Sequence, residues 1–196
     1  AWPFPDKGYN HFPDMAAKAA VFNNAMEAMA KYSPDAILIA CNTLSVIYPF
    51  TAFAQTTNIP VTGIVDHGIT LIHEHLKQAP DSRVVIFGTP TTIGENIHKT
   101  GLMKLGVDPE RIVNQGCVNL AGRIERNPFG SDVSQMIEVN TRQAASKIGP
   151  FSGPLFAALC CTHFGYCGDL FSAALARHTR QGVEILNPNT RMAQIN

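Results

Sequence analysis

Apolar positions along this chain fall into two alternating rhythms: short unbroken runs, and longer stretches in which they recur three and four residues apart. The first rhythm suits strands buried on both faces, the second helices with one covered side. Asp14, after Pro13, opens MAAKAAVFNNAMEAMAKY, whose spacing predicts a helix that ends at Ser33-Pro34. Residues 36–40 predict a strand, and 44–57 a helix in which Pro49 is tolerable only near the first turn. A strand over 59–65, a helix over 68–78, a strand over 83–88 and a helix over 93–105 follow. The pattern then gives a strand near 111–114, a loop through Asn127-Pro128, a helix over about 131–147, and a strand at 155–159. A helix near 169–178 and a strand at 183–186 come next, and the final NTRMAQIN has the character of the opening turns of a helix.

Strands that alternate with helices at this spacing predict an α/β fold built from parallel βαβ units. In such sheets ligands bind beyond the carboxyl ends of the strands. Cys41, Gly88-Thr89 and Cys161 all sit at such ends. A weak internal echo runs through the chain: strand, Cys-Asn-Thr, helix, strand in the first half, and strand, Cys-Thr-His, helix, strand in the second. It predicts two pseudo-symmetric lobes with a cleft between them. The first lobe is expected over 1–79 plus about 183–196, and the second over 80–182.

Composition narrows the partners. At 196 residues and 45% hydrophobic content the chain can bury a sizeable core. Lys plus Arg and Asp plus Glu each number 15, so there is no basic field to hold nucleic acid or an anionic membrane. A small neutral or zwitterionic ligand fits better. No apolar run approaches the roughly 20 residues of a membrane span, and a cytoplasmic location is the expectation. Five cysteines at irregular spacing suit free thiols rather than a disulfide framework. The chain starts at Ala1 rather than Met, and both termini are expected to be incomplete.

The two strand-end cysteines carry the sharpest chemistry. Were the lobes to face each other, a ligand between them would meet sulfur on both sides, a geometry suited to inverting a stereocentre. One thiolate removes a proton from carbon and the opposite thiol returns one to the other face, and a reference pKa near 8.5 lets the two differ in charge around neutrality. Either cysteine alone reads more simply as a small buried hydrophobe. Asn42, Thr43 and Thr162 could hold a substrate carboxylate or merely cap helices. His163, two residues beyond Cys161, could assist that thiol. Glu125, flanked by Arg123 and Arg126 in AGRIERN, reads from its neighbours as an exposed ion pair. VVIFGTPTTI could cradle an anion at Thr89, although it lacks the Gly-Lys-Ser/Thr ending of a P-loop. Cys160, Cys161, His163 and Cys167 match no common zinc spacing, and His73-Glu74-His75 lacks the histidine pair of a metalloprotease. No metal is expected.

ILIACNTLS followed by IPVTGIV, then VVIFGT-x-x-T-I, then LCCTHF resembles the aspartate/glutamate racemase superfamily, and the Cys-Thr-His form of the last motif is most similar to glutamate racemase. That resemblance implies a cofactor-independent enzyme of two α/β lobes, without pyridoxal phosphate, that racemises glutamate through two thiols and supplies D-glutamate for peptidoglycan. By position it implies Cys41 and Cys161 as the acid/base thiols, His163 assisting Cys161, and Glu125 as the auxiliary acid. Asn42, Thr43, Thr89, Thr162 and Phe4 would line the substrate site. A small amino acid is then the expected partner, and a homodimer a candidate assembly.

Departures from the family pattern are visible. The Asp-Ser-Gly loop that would assist the first thiol has no counterpart here, and it is expected upstream of Ala1. Pro3-Phe4-Pro5 stands where the family has Pro-Tyr-Gly, Cys160 replaces a usual glycine, and Gly165 interrupts the usual Thr-His-Tyr-Pro. An aspartate or hydantoin racemase, or a binding relative without turnover, is the alternative reading. The histidine after Cys-Thr favours glutamate, since aspartate-type relatives more often carry Glu there.

Overall fold

The computed structural model describes residues 8–194. Phe4, expected to touch substrate, lies outside them. Six parallel strands form two sheets among the described residues. The smaller pairs β1 (Ile37–Ile39) with β2 (Val61–Gly63). The larger has the order β4 (Ile112–Gly116), β3 (Arg83–Gly88), β5 (Leu155–Cys160), β6 (Val183–Leu186), with Gly88 at the end of β3 level with Cys160 on β5.

The larger sheet is the middle layer of three, because its strands are apolar on both faces. Val85 and Phe87 of β3, with Ala157 and Leu159 of β5, face α7 (Leu120–Arg126), α8 (Ser131–Ala145) and α9 (Gly168–Thr179) through Ile124, Ile137 and Phe171. Phe87 and Phe171 meet at a tilt with ring centroids 4.9 Å apart, and each buried ring contributes roughly 1.5–3 kcal/mol. Val84 and Ile86, one residue out of phase, face α4 (Ile64–Gln78) and α6 (Ile97–Lys104) through Ile72, Leu76 and Leu102.

The smaller sheet has a core of its own. Ile37 and Ile39 pack against Ala19, Phe22 and Met26 of α1 (Met15–Ala30), against Val46 and Ile47 of α2 (Asn42–Ile47), and against Phe53 of α3 (Ala52–Thr56). Asp14 caps α1 by accepting from the Ala17 amide, as the sequence predicts. The helix α4 belongs to both cores: Val65 near its start lies in the small one, Ile72 and Leu76 in the large one.

Several expectations shift, most of them for a local reason. The helix expected over 44–57 is α2 and α3 separated by a 3₁₀ turn at Tyr48–Phe50, where Pro49 lacks the amide hydrogen a continuous helix needs. The helix expected over 93–105 is α5 (Pro90–Gly94) and α6, parted at Asn96 with a left-handed φ of 55°. The strand expected over 59–65 gives way to α4 at Ile64. Gly63 admits that turn, since a Cβ there would stand 2.8 Å from the Ser45 hydroxyl. The sequence pattern missed α7, which starts after Asn119 with φ 59° and carries charge on most of its surface. β6, expected with the first lobe, pairs with β5 in the larger sheet. The chain that follows it, α10 (Pro188–Met192), packs back on α4, where Arg191 makes a two-pronged ion pair with Glu74 at 2.6 and 3.0 Å.

Candidate active site

β1 and β5 both lead to a cysteine at the N-cap position of the next helical turn. Cys41 precedes α2 with φ −123° and ψ 122°, and Cys161 precedes the 3₁₀ stretch Thr162–Cys167 with φ −148° and ψ 129°. The extended backbone turns each sulfur back toward the amides that open the helix. At Cys41 these are the amides of Thr43 and Leu44, with the Thr43 hydroxyl. At Cys161 they are the amides of His163 and Phe164, at the same two offsets. Backbone donors at matching offsets favour ionisation of both sulfurs, and Cys41 has the Thr43 hydroxyl in addition.

Both thiols border one cavity of about 380 Å³, lined also by Asn42, Thr43, Thr162 and His163 and by Phe22, Met26 and Met29 of α1. Burial pushes the Cys41 thiol up, and the neighbouring amides oppose it. Cys161 is pushed up to about 12, first by burial, with the His163 and Phe164 amides opposing and the charge of Cys41 adding to the rise. Two thiols that sense each other's charge resist ionising together, so the low-energy arrangement has one proton on at least one of them.

The polar followers are not equivalent. Asn42 is 1% exposed, and neither its carbonyl oxygen nor its amide nitrogen has a partner among the described residues. A buried amide left unbonded costs about 1–3 kcal/mol, which a ligand in the cavity would relieve. Thr43, by contrast, is already engaged: its hydroxyl lies 2.8 Å from that of Thr89 and 3.3 Å from that of Thr92. This buried knot of hydroxyls fastens the turn after β1 to the turn after β3. Thr162 donates to the Ala40 carbonyl at 2.6 Å and so ties the second cysteine turn to the end of the first strand.

His163 and Glu125 meet. Imidazole Nε2 lies 3.9 Å from the Glu125 carboxylate, within ion-pair reach when the ring is protonated. The flanking arginines are occupied elsewhere, Arg123 with Asp132 at 3.5 Å and Arg126 with the Gly122 carbonyl. Glu125, itself largely exposed, therefore lies within reach of His163 instead of forming the local ion pair that its sequence neighbours suggest. Cys160 is fully buried in the core between β5 and α4, a packing position. Gly165 has a concrete cause: a Cβ there would stand 2.8 Å from the Asn187 amide nitrogen.

Two residues near the site carry no signal in the sequence pattern. Asn189 donates to the Thr162 carbonyl at 3.0 Å and lines a second cavity of about 570 Å³ that shares Leu38, Ala40 and Thr162 with the first. Tyr9, in a 3₁₀ turn at Tyr9–His11 ahead of α1, feels the charge of Cys41. Asn189 opens the helical stretch expected at the end of the chain and Tyr9 lies in no periodic segment, but neither adjoins a site motif, so only the folded chain brings them to the site.

No protein-family model matches the chain. Glutamate racemase of Caulobacter sp. is 28% identical over 162 residues, 73% of this chain and 56% of that protein. Glutamate racemase of Aquifex pyrophilus is 31% identical over 131 residues, 66% of this chain and 46% of that protein. The crystal structure of a Bacillus anthracis glutamate racemase superposes with a TM-score of 0.74 at 20% identity, covering 96% of this chain and 65% of that one. The chain resembles the aspartate/glutamate racemase superfamily, and within it glutamate racemase. A glutamate racemase of Francisella tularensis in complex with D-glutamate has the same fold, with a TM-score of 0.72 at 19% identity over 96% of this chain and 65% of that one. An aspartate racemase of Picrophilus torridus follows at 0.60 and 14%, over 95% and 71%. The α/β architecture of parallel sheets flanked by helices is thus that of these racemases. The matched region spans about half the length of the first two curated relatives.

Proposed function

We propose that the protein racemises an acidic amino acid, glutamate by preference, without a cofactor and through two thiols. The observation that carries the proposal is the pairing of Cys41 and Cys161 on one cavity, each at the N-cap position of the helical turn that follows its strand. In the proposed cycle one cysteine, as thiolate, takes the α-proton of the substrate. The electron pair left on carbon delocalises into the carboxyl group, and the opposite thiol delivers its proton to the other face. The enzyme ends with the thiol and thiolate exchanged, so the reverse direction runs through the same groups.

Burial raises both thiols, and the substrate helps to correct this. Its ammonium group brings a positive charge into a poorly solvated space and favours one thiolate there. The unbonded Asn42 amide is suited to a substrate carboxylate or ammonium, while Thr43 and Thr89, fastened together, hold the turn rigid around it. His163, with Glu125 3.9 Å from its Nε2, would set an imidazole beside Cys161. Regions of the first half of the chain, 8–79, and of the large-sheet half supply one thiol each, which fits a two-lobe division.

The test is incubation with L-glutamate in D₂O. The parent should racemise it with incorporation of deuterium at the α-carbon. Cys41→Ser and Cys161→Ser should each lose racemisation by at least about 1,000-fold, while each retains exchange of the α-proton of one enantiomer only, and opposite enantiomers in the two variants. Racemisation that survives intact in either variant would falsify the two-thiol mechanism. Faster turnover of L-aspartate than of L-glutamate would reassign the substrate.

A further inference from the structure

We infer that Asn189 is a positioning residue for the Cys161 half of the site: its side-chain amide holds the Thr162 carbonyl and thereby aims the N–H of the same peptide unit at the Cys161 sulfur. The effect on turnover rests on the two-thiol reading above, but the hold on the Cys161 turn does not.

The strand register sets the meeting. β5 and β6 are parallel neighbours with Ala158 level with Leu186, so the chain leaves them side by side, Thr162 just beyond β5 and Asn189 just beyond β6. Asn189 Nδ2 donates to the Thr162 carbonyl at 3.0 Å. The residue is itself held, because its backbone N–H donates to Asn187 Oδ1 at 3.1 Å and α10 is anchored by Arg191 on Glu74 and by buried Pro188 and Met192. Gly165 makes the approach possible. A Cβ there would stand 2.8 Å from the Asn187 amide nitrogen and 3.2 Å from that of Asn189, so a side chain at 165 would push both amides off the turn.

A peptide unit is planar, and its carbonyl and N–H point in opposite directions. The Thr162 carbonyl and the His163 N–H belong to one such unit. With the carbonyl fixed by Asn189, the N–H is fixed on the Cys161 sulfur, where it favours the thiolate. The Thr162 hydroxyl, bonded to the Ala40 carbonyl at 2.6 Å, carries the same hold to the strand that delivers Cys41. Only a donor can face a carbonyl, so Nδ2 is turned to Thr162 and Oδ1 is left buried with no partner among the described residues. An unbonded buried oxygen costs about 1–3 kcal/mol, so an amide here serves stability poorly and suits a task at the site. The Cys41 turn is supported differently, through the Thr43 hydroxyl on Thr89 and Thr92.

Asn189→Leu removes the donor at similar volume. The full chain and the variant are treated with iodoacetamide at one fixed pH, and alkylation at Cys41 and at Cys161 is followed separately by peptide mass spectrometry. Loss of the hold should slow Cys161 alkylation about fivefold and leave Cys41 unmoved. With glutamate, kcat should fall roughly tenfold in both directions while KM stays within about twofold, because Asn189 acts on the thiol turn and not on bound substrate. An unchanged or faster Cys161 rate, or equal slowing at both thiols, would overturn the inference. If Asn189→Leu fails to fold, Gly165→Ala, whose methyl displaces both amides, should slow Cys161 in the same selective way, and no change there overturns it as well. A parent that shows the Asn189 effect on Cys161 but leaves glutamate untouched would sink the racemase reading and leave this role standing.

Discussion

Cys41 and Cys161 occupy the same local structure in very different surroundings. β5, which delivers Cys161, lies inside a four-stranded sheet with all six of its residues buried. β1, which delivers Cys41, is three residues long, pairs with a single strand and leaves Leu38 56% exposed. A two-stranded sheet is marginal by itself. The Cys41 turn is nonetheless held, because Thr162 bonds the Ala40 carbonyl and Thr43 joins Thr89 and Thr92. The small half thus takes its order at the site from the large half, and equivalent motifs do not imply equivalent support.

The difference can be broken or sharpened by substitution. The largest effect should come from the two cores. Ile86→Ala empties a fully buried position on β3, flanked by β4 and β5, and should cost about 4 kcal/mol by urea unfolding. Ile39→Ala on β1 should cost about 2 kcal/mol, since a small two-stranded layer relaxes more readily around the gap. Equal losses would show that the small sheet is as firmly packed as the large one.

A second test falls on the seam between the halves. His98 of α6 lies against Gly68 of α4, buried, with Nε2 unbonded among the described residues. Burial lowers its pKa from 6.5 to about 4. Above pH 6.5 the residue is neutral folded and unfolded, and stability is complete. As pH falls from 6.5 toward about 4 the unfolded chain binds a proton that the folded one refuses, so stability drops by roughly 3 kcal/mol. His98→Gln should flatten that part of the urea midpoint against pH, and an unchanged slope would place the acid sensitivity elsewhere.

The smallest effects separate the two polar followers. Thr162→Val removes the bond to the Ala40 carbonyl and should cost about 1 kcal/mol of stability. Asn42→Ala removes a buried amide that has no partner, so thermal unfolding should stay level or rise slightly, while racemisation falls roughly tenfold. A clear loss of stability in Asn42→Ala would mean that the amide serves the fold and not a ligand.

By itself the chain determined its strands and helices wherever local pattern is strong. The apolar runs that became β3, β5 and β6 are set by their composition, and the cysteines at the ends of two strands are marked by the polar residues that follow them. Proline, too, acts locally, and Pro49 stopped a helix that periodicity alone would have continued. What only the tertiary structure decided is which side chains meet. β6 joined the larger sheet because strand partners are chosen by the packing of distant segments, which no short window records. Glu125 turned from its arginine neighbours to His163 across the chain, Thr43 spent its hydroxyl on Thr89, and Asn42 was left buried without a partner. A motif fixes which atoms arrive at the end of a strand. Their charge, their burial and their partners follow from neighbours far away in sequence, because electrostatic and packing energies depend on distance in space.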